Sequence, residues 1–217
     1  MRKLVHALAS VESSSQADRN SGMSKARTEA LTDGIYAFAM TLLVLTISVP
    51  TVAPPGTTDD NLHMALIEHI SDFVHYAVAF LVLAIFWVSH HQLWGKLKYI
   101  DDTLLWLNIL SLMFVALLPF STAFAQTYVD FPMSAIVFEV NILLVWLPMY
   151  LQWKHLRRNA VLRAEGLDAR ELDRTERRIM VTPAITVVAI AVAIAGSAWS
   201  TALYLLTPLV MKFVDRK

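Results

Sequence analysis

Six long apolar stretches constrain this chain more than any other feature. A helix needs roughly 20 apolar residues to cross the hydrocarbon core of a bilayer. The first run extends from about Ala30 to Val49 and stops at Pro50, with Pro54-Pro55-Gly56 enforcing a loop. The second covers Phe73 to Trp94, with a more polar helical approach from Leu62, and the third Leu104 to Ala125. The fourth covers Met133 to Trp153, and the shorter fifth and sixth, Ile179 to Ala195 and Ser197 to Phe213, meet at Gly196. One helix through both would hold about 35 residues and reach ~52 Å, too long for one crossing, so the spacing predicts two. Composition agrees, with 56% hydrophobic and 17% charged residues against about 25% charged in soluble domains. The class expected is an all-α, polytopic membrane protein with six transmembrane helices.

The basic residues test this division independently. All 18 Lys and Arg fall in four segments. Arg2, Lys3, Arg19, Lys25 and Arg27 precede span one; Lys96 and Lys98 lie between spans two and three. Eight from Lys154 to Arg178 separate spans four and five, and Lys212, Arg216 and Lys217 close the chain. Lys and Arg are retained on the cytoplasmic side. This sorting requires an even number of spans and puts both termini in the cytoplasm. The chain divides into a polar, serine-rich tail, 1–24, and a transmembrane domain, 25–215, with a charged loop at about 154–178. The apolar stretch Leu4 to Ala9 is too short for a signal peptide. The loop alternates signs, as in Arg163, Glu165, Asp168, Arg170 and Glu171. It reads as a solvated amphipathic helix along the membrane, with contact to anionic lipid as the sharper alternative. Zero net charge gives no sign of a nucleic-acid partner. The absence of cysteine excludes disulfides, thiolate metal sites and a cysteine nucleophile.

Polar residues inside the spans carry the functional signal. Arg27, Glu29 and Asp33 crowd the inner end of span one. A long side chain snorkels to water, but Asp33 is short and needs a donor from a neighbouring helix. Beyond it, Gly34, Phe38, Thr41, Leu45 and Ser48 recur at spacings of four and three and share one helical stripe. Small and hydroxyl residues there suit a helix–helix seam. The sharper alternative is a pore in which apolar rings gate and hydroxyl rings contact ions. Span two ends in Trp87-Val88-Ser89-His90-His91, and span three carries Asn108. Thr32, Asp33, Asn108 and one histidine lie at one depth and are expected to hydrogen-bond. Glu139, about two turns into span four, is a functional candidate because an acid at that depth is costly. On the outer approach Glu68, Asp72 and His75 share a face, but no metal site is assigned. No zinc-protease, nucleophile-elbow or P-loop pattern occurs, so no catalytic residue and no cofactor are expected.

The run Arg27-x-x-x-Leu31-Thr32-Asp33-Gly34, followed by Ile35 to Leu45, resembles the first helix of the prokaryotic homologues of the endolysosomal potassium channel. Phe86-Trp87-Val88-Ser89-His90-His91 resembles the second-helix motif of that family. Leu105-Trp106-Leu107-Asn108 with Leu118-Pro119-Phe120-Ser121-Thr122 resembles its third helix. The resemblance covers about residues 27–125. Leu31 and Thr32 replace the family's usual Phe and Ser, and Phe38 stands where Ile or Leu is usual. The resemblance implies a homotetramer around a central pore lined by helix one. It implies a passive, potassium-preferring cation channel with Phe38 and Leu45 as apolar constrictions and Thr41 as the hydroxyl ring. Arg27, Thr32, Asp33, Gly34, Trp87, His90 and Asn108 would support helix one, and Ser48 would continue the ion path. Expected partners are potassium ions, the lipid bilayer and further copies of the chain, in a bacterial inner membrane. The alternative reading is a proton-coupled transporter or proton-conducting channel that uses Glu139 and the histidines.

Overall fold

The computed structural model describes residues 24–51, 57–196 and 200–214. Tail residues 1–23, the Pro54-Pro55-Gly56 loop, the start of span six at Ser197, and Arg216 and Lys217 lie outside the described residues. The fold is all-helical. Helix α1 spans Lys25–Leu42 and tightens into a 3-10 turn, Leu43–Thr46. Helix α2 is Asp59–Glu68, α3 is Ile70–Trp94, α4 is Asp102–Thr127 and α5 is Pro132–Arg158. Helix α6, Ala169–Ile179, passes through Met180, still right-handed at φ −78° and ψ −11°, into α7, Val181–Ile194. A 3-10 segment, Ser200–Leu206, then leads into α8, Thr207–Val214.

Five of these stretches are long and apolar enough to cross a bilayer: Lys25–Thr46, Ile70–Trp94, Asp102–Thr127, Pro132–Arg158 and Ala169–Ile194. The last apolar stretch, Ser200–Val214, is shorter. Its 7 residues of 3-10 helix and 8 of α-helix reach roughly 26 Å, because a 3-10 turn rises about 2.0 Å per residue against 1.5 Å. The chain breaks before it at Gly196, whose φ of +89° is open to glycine and strained for other residues.

Several helix starts are written in the sequence. Ser24, Asp101 and Asp168 each cap a helix by accepting a backbone N–H, from Arg27, Leu104 and Glu171 respectively, which satisfies one of the donors every helix start leaves open. Pro132 opens α5, where the missing N–H costs nothing. Span one therefore begins a turn and a half earlier than its apolar run, at Lys25. It also ends earlier. The segment winds tight after Leu42 and is extended by Ile47, at ψ 117°.

Apolar side chains gain little by leaving lipid for protein, so packing and hydrogen bonds hold a membrane bundle together. Helices α4 and α5 pack along their length through Leu112, Val115, Leu118, Ile142 and Val145, all buried. Tyr36, Phe86, Trp94, Trp153 and Tyr204 fill the rest of the interior. Buried polar pairs tie the helices. Trp94 Nε1 donates to Gln152 Oε1 at 3.0 Å, Tyr204 Oη to Thr186 Oγ1 at 2.9 Å, and Ser111 Oγ to the Val145 carbonyl at 3.2 Å.

The basic segments gather at one end of the bundle. Lys25 Nζ donates to the Leu97 carbonyl at 2.8 Å. Lys98 N donates to Leu162 O and Ala164 N to Lys96 O, both at 2.8 Å, joining the α3–α4 and α5–α6 connections. Val214, at the end of α8, shares a groove with Glu176 and Arg177. At the other end Gln126 Nε2 donates to the Asp72 carbonyl at 2.9 Å. The charged loop is occupied largely within the molecule. Arg157 pairs with Asp173 at 2.8 Å and with Glu176, and Lys96 pairs with Glu171.

Candidate functional site

Helix α1 has two faces of opposite character. Thr28, Thr32, Tyr36, Ala39 and Leu43 are buried against the rest of the subunit. On the other side Gly34, Phe38, Thr41 and Leu45 stand open, Phe38 at 65% and Leu45 at 76% exposure. These four keep the spacing of a single stripe. Ser48 does not continue it. Helical structure stops at Thr46, so the spacing that placed Ser48 on the stripe no longer applies, although the residue itself is exposed. The cause is local: Thr46, Ile47 and Val49 are β-branched, and Pro50 disfavours helical backbone at the residue before it.

The buried face of α1 is tied down by a directional chain of hydrogen bonds. Thr32 Oγ1 donates to the Thr28 carbonyl at 2.9 Å. Its proton is thus used, and it accepts from Asn108 Nδ2 at 2.9 Å. That fixes the Asn108 amide with its oxygen towards His90, 2.8 Å from Nε2, so His90 carries its proton on Nε2. The His90 ring also stacks on Trp94, centroids 4.9 Å apart, and lies 6.3 Å from Tyr36. All three hydrogen-bonding side chains are buried. The chain links α1, α3 and α4 at the basic end.

Asp33 is held separately. Trp87 Nε1 donates to Asp33 Oδ1 at 2.9 Å across the more open flank of α1 and α3. His91 faces away from the buried chain and stacks on Trp87 at 6.1 Å. Arg27 joins neither group among the described residues: its side chain is exposed, and its backbone N–H donates to Ser24 Oγ at 3.4 Å. Gly34 lies in open space, with nothing within 4 Å of where a side chain would begin. Among the described residues nothing crowds it.

On the stripe itself, Thr41 Oγ1 donates to the Phe38 carbonyl at 2.8 Å. The hydroxyl proton is thereby turned into the helix, and the oxygen lone pairs are left facing outward. That arrangement suits a cation. Phe38 and Leu45 flank it with apolar surface about one turn away on either side.

Glu139 lies on α5, 0% exposed, with neither carboxylate oxygen partnered among the described residues. Its neighbours are Ser200 and Tyr204 of the last apolar stretch. No direct hydrogen bond among the described residues joins it to His90 or His91. Glu68, Asp72 and His75 do not share one uninterrupted helix. The chain breaks at His69 between α2 and α3, and His75 Nδ1 is engaged with the Ser71 carbonyl at 2.8 Å. Sequence reasoning missed the Trp94–Gln152 pair, whose partners lie 58 positions apart on different helices. It also missed the link between Ser121 and Asn141, 3.1 Å apart. The only signal for either was a polar side chain in the middle of an apolar run.

Comparison with known proteins adds an independent line. The sequence model of the family Endosomal/lysosomal potassium channel TMEM175 matches residues 27–119. A potassium channel of Streptomyces collinus is 36% identical over 147 residues, covering 66% of this chain and 69% of that one. The mouse endosomal/lysosomal proton channel TMEM175 is 34% identical over 114 residues, which is 51% of this chain and 22% of the mouse protein. The crystal structure of a lysosomal potassium-selective channel TMEM175 homologue from Chamaesiphon minutus superimposes with a TM-score of 0.72 at 25% identity. That match covers 88% of this chain and 98% of the other.

Proposed function

From its membership of the TMEM175 family of ion channels, to which this chain belongs, we infer that it is a passive, potassium-preferring cation channel with its pore along α1. The Streptomyces and Chamaesiphon relatives are described as potassium channels, which favours potassium as the ion. In this reading copies of the chain assemble as a homotetramer in the cell inner membrane. Each crosses it six times within residues 25–215, with both termini in the cytoplasm.

The observation that carries the reading is the open stripe of α1. A helix whose opposite face is buried, and whose base is tied to α3 and α4, leaves Gly34, Phe38, Thr41 and Leu45 exposed among the described residues. Four such helices around an axis would form apolar rings at Phe38 and Leu45, which exclude water when narrow. Between them, four Thr41 oxygens would face the axis and contact a partly dehydrated ion. Gly34 would allow the helices to approach closely near the inner end. Asp33, Thr32, Asn108, His90 and Trp87 would set the angle of α1 without touching the ion. No step in this mechanism makes or breaks a covalent bond. The family is one of ion channels, and enzyme activity drops out of the account.

The test is flux through purified protein in liposomes, under potassium and then sodium gradients. Phe38→Ala should raise potassium flux by about tenfold or more, which corresponds to ~1.4 kcal/mol off the barrier. Unchanged flux from a well-assembled variant would remove Phe38 from the constriction. The description of the mouse relative as a proton channel favours a second reading, proton conduction, with buried Glu139 as its internal acid. Acidification of liposomes under a pH gradient that collapses in Glu139→Gln, with potassium flux intact, would select it.

A further inference from the structure

Helix α6 carries alternating charges in sequence, yet it sorts them in space. Asp173 and Glu176 turn toward Arg157 at the end of α5 and pair with it. Leu172 and Ile179 are buried. Arg170, Arg174 and Arg178, at positions i, i+4 and i+8, turn the other way, over the end of α3. Between this arginine face and the α3 end lies a cleft of about 820 Å3, within the size range of small-ligand sites.

The charges facing this cleft are unequal in their commitments. Its acids are in use: Glu171 pairs with Lys96, Glu165 lies 3.7 Å from Lys98, and Asp168 Oδ1 accepts the Glu171 N–H at 2.7 Å as the helix cap. Arg178 Nη1 donates to Gln92 Oε1 at 3.0 Å and is fixed in place. Arg170 and Arg174 line the same cleft, are exposed, and have no ion-pair partner among the described residues. Two arginines one turn apart on the same cleft can each offer an N–H fork of the kind that binds phosphate oxygens in pairs.

We propose that this cleft binds a phosphate-bearing anion at the basic end of the bundle, held by Arg170 and Arg174 with Lys96 and Arg178 behind them. The anion is either the headgroup of an anionic lipid or a soluble phosphate compound. The cleft opens where α3 and α6 leave the apolar spans, a position that both can reach. It also adjoins α1. His91 forms part of the wall and stacks on Trp87, whose indole holds Asp33.

Purified full-length protein in detergent is titrated with sodium pyrophosphate, with dioctanoyl-phosphatidylglycerol, and with dioctanoyl-phosphatidylcholine as the zwitterionic control. The readout is the melting temperature. A saturable rise with pyrophosphate identifies a soluble source, and one with phosphatidylglycerol alone a lipid source. In the double variant Arg170→Gln, Arg174→Gln the half-saturating concentration should increase by about tenfold or more, since charge-assisted bonds are lost. Arg177→Gln, which lies outside the cleft, should bind as the unaltered protein does. The pair Arg170→Lys, Arg174→Lys keeps the charge without the fork and should fall between. No saturable shift with either anion would overturn the proposal. So would equal binding by the glutamine double variant, or an equal rise with phosphatidylcholine. None of these readouts depends on ion conduction, so they stand or fall apart from the channel reading.

Discussion

Thr32 uses one hydroxyl twice, donating to its own helix and accepting from Asn108. Thr32→Val keeps the shape but leaves the Asn108 amide short of an acceptor in a buried site. Polar bonds between membrane helices are worth about 0.6–2 kcal/mol. A loss of that size should appear as a lower melting temperature in detergent, restored by Thr32→Ser. No change in Thr32→Val would mean that the chain to His90 contributes nothing to holding α1. Asp33 is a second case. Among the described residues, Trp87 is its hydrogen-bond partner on another helix. Asp33→Ala is expected to lower the yield of assembled tetramer on size exclusion, because α1 loses one of its two hydrogen-bonded ties to α3 among the described residues. A normal yield with altered ion current would move Asp33 into the ion path. That Asp33 needed a donor was legible in the sequence, since a short acid near hydrocarbon requires one. That the donor is an indole 54 positions away was not, because only packing brings α1 and α3 together. Arg27 marks the opposite limit. Its place in the family pattern suggested a role in the network, yet within one subunit its side chain is exposed and joins none of that network's side-chain bonds among the described residues.

At the scale of elements, the open stripe of α1 was readable because it depends only on helical period. Phe38, Thr41 and Leu45 keep that period. Ser48 failed because period holds only while the helix does, and β-branched residues ahead of Pro50 ended it at Thr46. Of the charged loop read as one amphipathic helix, only the second half, Ala169–Ile179, forms a helix of its own, and where its charges went was not readable. Alternation in sequence hid the separation of Asp173 and Glu176 from Arg170 and Arg174, which follows from turns of the helix and from the position of Arg157. The break before the last apolar stretch rests on Gly196. With φ at +89°, Gly196→Ala should cost about 1–2 kcal/mol, seen as an earlier thermal transition. An unshifted transition would mean that the chain there relaxes freely into another conformation.

For the whole molecule, charge sorting and contact geometry agree at one end of the bundle. The basic connections touch each other through Lys25, Leu97, Leu162 and Ala164. The chain contains no cysteine, so single introduced thiols report on topology directly. Lys98→Cys should react with an impermeant maleimide only when the cytoplasmic face is opened, and Tyr128→Cys from outside intact cells. The reverse pattern would invert the bundle. The number of subunits has no counterpart in the sequence of one chain; what one subunit offers is a face of α1 that stands exposed among the described residues. The central claim is that this face lines a potassium path. It is tested most directly by potassium flux in liposomes for the unaltered protein, Phe38→Ala and Thr41→Val, each checked for assembly. The account predicts potassium-over-sodium flux in the unaltered protein, a rise in Phe38→Ala, and weakened preference for potassium in Thr41→Val. Flux identical in all three, with assembly intact, would contradict it and put the ion path somewhere other than α1.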